Sequence, residues 1–213
     1  AKPLVRAAAL EAVGHLGGEG AFDALLVGLS EREHPEVVAG AARGLAALGD
    51  PSAAPLFVSI LAKGGEHPAF EAARAGLARL GPAARQALVR AVQAPENKAR
   101  REAALLLALQ GASEAAEVLM TLLTENPDDL RVAEELAILS CVDLRASEAP
   151  PLAWWQWWDQ VVHDDPHAWL FAALERAGLS APAAGALDGD GTREGALYLF
   201  AILEGDEPDA VQR

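Results

Sequence analysis

The sequence predicts an all-α solenoid, in which two-helix repeats stack in a row and an irregular, tryptophan-rich segment follows toward the carboxyl end. Three observations indicate this class. The 213 residues are 52% hydrophobic but only 5% aromatic, and the apolar content comes from Ala, Leu and Val, whose small side chains suit closely packed helices. A short helical unit recurs about every thirty residues. From Ser140 onward the recurrence stops, and a run of tryptophans follows.

The repeating unit is clearest in residues 35–50, PEVVAGAARGLAALGD. Proline stands in the first turn, where a helix needs no backbone donor, an apolar stripe with helical spacing follows, and Leu-Gly ends the unit. Glycine reaches the left-handed backbone conformation cheaply and therefore predicts a helix stop. Five first helices are predicted to end, with spacings of 32, 32, 29 and 30 residues, at Leu16, Leu48, Leu80, Leu109 and Leu139. Glycine follows the first three, and Gln110 and Ser140 replace it in the last two.

A second short helix is predicted after each of the first four stops. Its inward residues are Leu25, Phe57, Val89 and Val118. Two helices in about thirty residues cannot bury both apolar faces alone, so neighbouring pairs must stack into a continuous core. Three repeats are predicted to open at Pro35, Pro68 and Pro127. We therefore predict a repeat array over residues 1–139 and a tryptophan-rich helical extension over residues 140–213, ending in another helix near residues 192–211, that continues or caps the array.

The segment PEVVAGAARGLAALGDPSAAPLFVSIL, with its Leu-Gly-Asp turn, resembles the short bacterial HEAT repeats of the phycobilisome-lyase type. This resemblance covers residues 3–139. It implies a HEAT-like α-solenoid, which in other proteins serves mostly as a protein-binding scaffold and occasionally as an enzyme. The order of helix repeat, Val-Asp-Leu, proline loop and double tryptophan in residues 127–213 also resembles, more loosely, HEAT-repeat proteins encoded beside bacterial type VI secretion systems. That second resemblance implies an accessory interaction protein.

The net charge of -14 is concentrated toward the carboxyl end. Residues 1–124 carry 12 Lys and Arg against 13 Asp and Glu, whereas residues 125–213 carry 5 against 18. An acidic half repels phosphate backbones and anionic lipids, so we expect neither a nucleic acid nor a membrane as partner. No apolar run approaches the ~18 residues of a spanning helix. Cys141 is the only cysteine and excludes an intrachain disulfide, which favours a reducing, cytoplasmic location.

A basic patch interrupts this acidic balance. It comprises Arg74, Arg79, Arg85, Arg90, Lys98, Arg100 and Arg101, opposed in that window only by Glu96. Arg85 and Arg90 fall on the second helix of the third repeat, the side that lines the concave face of a solenoid. These two arginines are candidates for binding an acidic peptide or a phosphate through bidentate contacts. The alternative is that they are solvated or paired with neighbouring carboxylates.

The tryptophan cluster comprises Trp154, Trp155, Trp157 and Trp158. At helical spacing these four rings cover about 160° of the helix circumference, an arc that one groove does not easily bury. As a functional site the cluster is an aromatic anchor for a partner, because binding energy concentrates at tryptophan. As a structural element it is a cap over the open end of the repeat stack, with some rings against repeat five.

No catalytic, cofactor or metal site is predicted. Glu33-His34 and Glu66-His67 recur in inter-repeat loops. HEAT-type hydroxylases hold iron through His-Glu pairs, but here the order is reversed and a metal site needs more converging ligands. The run from Asp188 begins like a calcium loop, yet Arg193 stands where such a loop requires glycine.

The function predicted from the sequence is non-catalytic binding of a protein or peptide on the concave face, through Arg85, Arg90 and the tryptophan cluster. The alternative is a HEAT-fold enzyme. A DNA-base glycosylase-like protein would use aromatic and acidic residues in a basic groove, for which the tryptophan cluster and Asp159 are candidates, although the net charge disfavours DNA binding. A bilin-lyase-like protein is the other enzyme considered, and no residue marks a tetrapyrrole site.

Overall fold

The computed structural model describes residues 2–94, 98–163, 166–176 and 178, without the side chains of residues 166, 167 and 176. Throughout these ranges the regular structure is helical, with eleven α-helices, three short 3-10 helices and no strand. The predicted all-α class is therefore confirmed. The predicted helix near residues 192–211, the run from Asp188 and the residue Glu96 lie outside the described residues.

The chain divides into two compact units, residues 1–106 and residues 107–213. The division predicted from the sequence lies after residue 139, where the repeat pattern ends. It is a different kind of division from these compact units, and it stays a prediction. The first unit contains α1 (Pro3–Leu16), α2 (Ala21–Leu29), α3 (Pro35–Leu48), α4 (Ala54–Leu61), α5 (Phe70–Leu80) and α6 (Arg85–Gln93). A 3-10 turn precedes α4 at Pro51–Ala53, and another precedes α6 at Gly81–Ala84.

The remaining helices begin with α7 (Arg100–Leu109), which runs across the division between the units. The second unit contains α8 (Ala116–Glu125), α9 (Leu130–Ser140), α10 (Pro150–Val161) and α11 (Pro166–Arg176). A 3-10 turn at Ser113–Ala115 precedes α8. Within this unit α8 packs against α9 and α10, and α9 packs against α11.

The first unit is a stack of two-helix repeats, as predicted. The first helices pack in order, α1 against α3 and α3 against α5, while α2 packs against α3 and α4 against both α5 and α6. Leu25, Phe57 and Leu88 are fully buried at matching positions of the second helices. Val89 was the predicted inward residue of α6 but is only half-buried. The inward residue of α6 is Leu88, so the prediction is wrong by one position. The cause is the turn before α6, Gly81-Pro82, which is one residue shorter than the turn before α4 at residues 49–51.

The predicted helix stops depend on left-handed backbone. Gly17, Gly49 and Gly81 follow α1, α3 and α5 with φ of 67°, 69° and 52°, which confirms these stops. In the fourth and fifth repeats the left-handed residue comes one position after Gln110 and Ser140. It is Gly111 with φ 66° and Cys141 with φ 56°, and no other non-glycine residue of the described ranges has a positive φ. Both repeats therefore keep a left-handed stop, displaced by one residue.

Only one of the three predicted proline starts is correct. Pro35 is the first residue of α3, but α5 begins at Phe70 and α9 at Leu130, after Pro68 and Pro127. At α5 the side chain of His67 accepts a hydrogen bond from the backbone N–H of Ala69, with 3.3 Å between Nδ1 and N. At α9 the side chain of Asp129 accepts one from the N–H of Val132, at 3.2 Å. Polar side chains close to the prolines, one before Pro68 and one after Pro127, therefore bind backbone N–H groups where these helices begin.

The closest helix contact in the first unit joins α1 and α3. A Cβ atom placed on Gly40 would lie 2.5 Å from the carbonyl oxygen of Ala7, and one placed on Gly14 would overlap the backbone of Gly44. An ion pair between Arg43 and Glu11, with Nε and Oε2 2.8 Å apart, crosses the same pair of helices. The two backbones are therefore in direct contact, which only glycine at these positions permits.

Replacing the glycine at this contact should destabilise the protein. We expect Gly40→Ala to lower the free energy of unfolding by about 1–3 kcal/mol, because the new methyl group meets rigid backbone of α1. The matched control is Gly65→Ala, since a Cβ there meets no atom within 4 Å. Urea unfolding followed by circular dichroism measures both. Equal stability of the two variants would contradict direct backbone contact between α1 and α3.

Candidate functional site

The exposed side of the second helices carries one row of matching positions. Leu25, Phe57 and Leu88 point into the core, and two residues beyond each of them the side chain is exposed. These exposed residues, which we call the second-helix row, are Val27 on α2, Ser59 on α4 and Arg90 on α6. The repeat register thus brings one apolar, one hydroxyl and one cationic side chain to corresponding places on three helices.

Some arginines of the predicted basic patch are already paired with carboxylates, and others are not. Arg74, half-buried on α5, contacts Glu71 with 2.8 Å between Nη2 and Oε2, and Arg101 pairs with Glu102. Arg79 and Arg90 are exposed and form no ion pair with any described residue. Arg90 lies on α6, whereas Arg79 lies on the first helix of the same repeat. Of these two exposed arginines, Arg90 is therefore the one on the second-helix side.

The other predicted arginine, Arg85, is exposed at the first position of α6. Arg85 and Arg90 thus lie on the same helix, as the sequence predicts. Their role in partner binding stays a prediction.

One histidine of the inter-repeat loops, His67, accepts a hydrogen bond from the backbone. His67 is half-buried, and its pKa lies below the ordinary value because burial and the nearby charge of Lys63 both disfavour the protonated ring. The neutral ring accepts the hydrogen bond from Ala69 at the start of α5. Among the described residues no three His, Cys, Asp or Glu side chains form a group that would hold a metal ion. The hydrogen bond of His67 is therefore a local one, made in the loop that leads into α5.

In the second unit, α10 buries one ring of the tryptophan cluster completely and leaves three half-buried. Trp154 has no exposed surface, so its ring is not available to a partner. Trp155 is half-buried, and its indole Nε1 donates a hydrogen bond to Thr124 Oγ1 on α8, at 3.1 Å. The cluster thus attaches α10 to the second helix of repeat four.

Trp157 and Trp158 are both half-buried, and their rings contact a fifth ring, Trp169 on α11. The ring centroids lie 5.1 Å and 5.9 Å from that of Trp169, with the planes tilted by 75° and 73°. Edge-to-face packing of this kind is favourable beyond the buried area. The wide aromatic arc is therefore divided between contacts with α8 and contacts with α11.

Trp169 is not among the residues predicted from the sequence to form a site. It is buried, and the sequence around it predicts only an amphipathic helix. The signal was nevertheless present, because all five tryptophans of the chain fall between Trp154 and Trp169. Such clustering indicates that the rings of the two helices meet.

Comparison with known proteins agrees with the repeat geometry of the first unit. A family model for HEAT repeats matches residues 1–78. Residues 1–78 carry HEAT repeats. The match runs from α1 through most of α5, and it confirms the HEAT-like class predicted for this part of the chain. No curated protein matches the sequence.

HEAT repeats generally act as protein-interaction scaffolds, because stacked helix pairs present a long continuous surface. The finer resemblances, to phycobilisome-lyase-type repeats and to proteins encoded beside type VI secretion systems, stay predictions. No helix within the described ranges combines the length and the apolar character that crossing a bilayer requires.

The contacts of the tryptophans predict how much stability the protein loses when a side chain of α10 is replaced by alanine. We expect Trp154→Ala to lower the free energy of unfolding by about 3–5 kcal/mol, since it empties a fully buried site. Leu152→Ala, at a residue of the same helix that is 57% exposed, should change it by less than about 0.5 kcal/mol. Urea unfolding followed by tryptophan fluorescence compares the two variants. Similar values for both would show that α10 is not anchored through Trp154.

Proposed function

We propose that the chain is a non-catalytic scaffold that binds an acidic segment of a protein or peptide along the second-helix row. The observation that carries the proposal is the position of Arg90, exposed on α6 and without an ion pair among the described residues. It stands in line with Ser59 and Val27 on the preceding second helices. A segment crossing the three helices would meet a cation, a hydroxyl group and an apolar side chain in turn.

The charge of the third repeat supports an acidic partner. Residues 63–94 contain five basic residues against Glu66 and Glu71, and Glu71 is already paired with Arg74. Arg85 adds a second guanidinium to α6. Guanidinium groups bind carboxylates through two parallel hydrogen bonds, which gives both strength and orientation. The proposed partner therefore contributes carboxylates at the α6 end of the row.

A second candidate contact lies in the other unit. Trp155, Trp157 and Trp158 each leave part of the ring exposed, and partly exposed tryptophan is enriched where partners bind. Trp155 donates a hydrogen bond to Thr124, and Trp157 and Trp158 pack against Trp169, so contacts within the unit already hold these rings in place. We treat this surface as separate from the second-helix row. The glycosylase-like and bilin-lyase-like alternatives stay predictions.

Reversing the charge of Arg90 tests the proposal. The immobilised 213-residue chain first captures proteins from a lysate of the source organism, and mass spectrometry identifies them. For each captured protein, calorimetry then measures the affinity for the wild type and for Arg90→Glu. We expect Arg90→Glu to weaken binding by about tenfold or more, because a carboxylate then faces the partner's carboxylates.

Arg79→Glu is the matched control, since it makes the same charge change on the first helix of the same repeat. We expect it to leave the affinity nearly unchanged. If Arg90→Glu binds with unchanged affinity, the second-helix row is not the binding surface. Equal weakening by both variants would show that only the net charge matters, and weakening by Trp157→Ala alone would move the contact to the second unit.

A further inference from the structure

The outward side of α10 carries a stripe of side chains that combines apolar groups with one carboxylate. We call it the α10 outer stripe, and its members are Leu152, Trp155, Asp159 and Val162. With about 100° per residue, the four fall within about 80° of the helix circumference. The opposite side holds Trp157, whose ring packs against α11. Leu152 is 57% exposed and Val162 is 40% exposed, so apolar surface meets solvent here.

Trp155 lies within the stripe and is held in place from below. Its indole Nε1 donates a hydrogen bond to Thr124 Oγ1 in the last turn of α8, at 3.1 Å. Asp159 follows Trp155 by four residues on α10, which places the carboxylate beside the ring. Asp159 is exposed and forms no ion pair with a described residue. A cation on the exposed part of the ring would therefore also reach a carboxylate.

The charges around the stripe favour a cationic partner. Residues 107–163 contain ten Asp and Glu against Arg131 and Arg145. Arg145 is already paired with Asp143, with 2.7 Å between Nη2 and Oδ2. The end of α8, where Trp155 is bound, adds the partial negative charge of its last backbone carbonyls. The α10 outer stripe therefore attracts lysine and arginine and repels acidic segments.

The residues that follow in the chain have the wrong charge for this stripe. Residues 179–213 contain seven Asp and Glu against Arg193 and Arg213. A segment of that charge is repelled by Asp159 and its acidic surroundings. Charge complementarity therefore favours a partner outside this chain.

Arginine fits the groups of the stripe better than lysine. Its planar guanidinium stacks on aromatic rings and binds a carboxylate through two hydrogen bonds. Trp155 and Asp159 offer both kinds of contact one turn apart. Leu152 and Val162 lie on either side of them, about 15 Å apart along the helix. A partner helix of about three turns, with apolar side chains on both sides of an arginine, spans this distance.

We propose that the α10 outer stripe binds an amphipathic helix of another protein, which places an arginine between apolar side chains. The arginine lies on Trp155 and pairs with Asp159, and the apolar side chains pack on Leu152 and Val162. The proposal rests on the scaffold function and specifies its second candidate contact. It does not involve the second-helix row, which binds a partner of the opposite charge.

Peptide binding to the 213-residue chain tests the proposal. The probe is a fluorescein-labelled, alanine-based helical peptide of about fifteen residues, whose leucine stripe is interrupted by one arginine. Comparison peptides carry lysine, glutamine or glutamate in place of the arginine. Fluorescence anisotropy measures the dissociation constants. We expect the arginine peptide to bind most tightly, the lysine peptide about threefold more weakly, and the glutamate peptide most weakly.

Variants of the stripe should weaken binding of the arginine peptide. We expect a loss of about tenfold or more for Trp155→Ala, about threefold for Leu152→Ala, and about threefold to fivefold for Asp159→Asn. The matched control is Glu134→Gln, which neutralises another exposed carboxylate of the same unit, on α9, and should leave the affinity unchanged. Circular dichroism verifies that all four variants keep their helices.

Three results would overturn the proposal. Equal affinity for the arginine and glutamine peptides would show that the cation contributes nothing. Equal weakening by Asp159→Asn and Glu134→Gln would show that the peptide senses only the net charge. A chain that binds none of the peptides would leave the α10 outer stripe to residues 179–213 or to a partner of other chemistry.

The variant Arg90→Glu separates this proposal from the second-helix row. It should leave the affinity for the arginine peptide unchanged, because Arg90 lies on α6 in the other unit. If the arginine peptide binds as expected but Arg90→Glu does not weaken the acidic partner, only the second-helix row has failed. If Arg90→Glu weakens the arginine peptide as much as Asp159→Asn does, the α10 outer stripe is not its binding site.

Discussion

Backbone contact between α1 and α3 is the constraint on which the rest of the first unit depends. Gly14 faces the backbone of Gly44, and Gly40 faces that of Ala7, so no side chain separates the two helices. This approach fixes the register between the first two repeats. Once the register is set, the second helices follow it, and Leu25 and Phe57 reach the core at matching positions. Val27 and Ser59, the first two members of the second-helix row, belong to these two repeats.

Much of the repeat architecture can be read from the sequence, because the recurring Leu-Gly pair encodes both the length of a helix and its stop. The ends of α1, α3 and α5 at Leu16, Leu48 and Leu80 follow from it. The stop at Cys141 does not, since no local signal favours left-handed backbone there. Cys141 is instead packed with Leu170 and neighbouring residues of α11, so tertiary contacts impose its conformation.

The candidate sites are less predictable than the fold, for a related reason. Spacing alone placed four tryptophans on one helix, but it could not show that Trp154 is buried while Trp157 contacts Trp169, because that depends on the neighbours of α10. The sequence likewise does not show which arginines are paired. Arg74 and Arg90 belong to one basic patch in the sequence, and only the side-chain geometry shows that Arg74 is already paired with Glu71.

A nuclear Overhauser effect between α1 and α3 tests this backbone contact most directly. In the isotopically labelled protein, we expect strong cross-peaks between the Hα protons of Ala7 and Gly40, and further cross-peaks between those of Gly14 and Gly44. Side chains interposed between the helices would abolish them. Absence of these cross-peaks, in spectra where both helices show their internal ones, would contradict backbone contact and with it the register between the first two repeats.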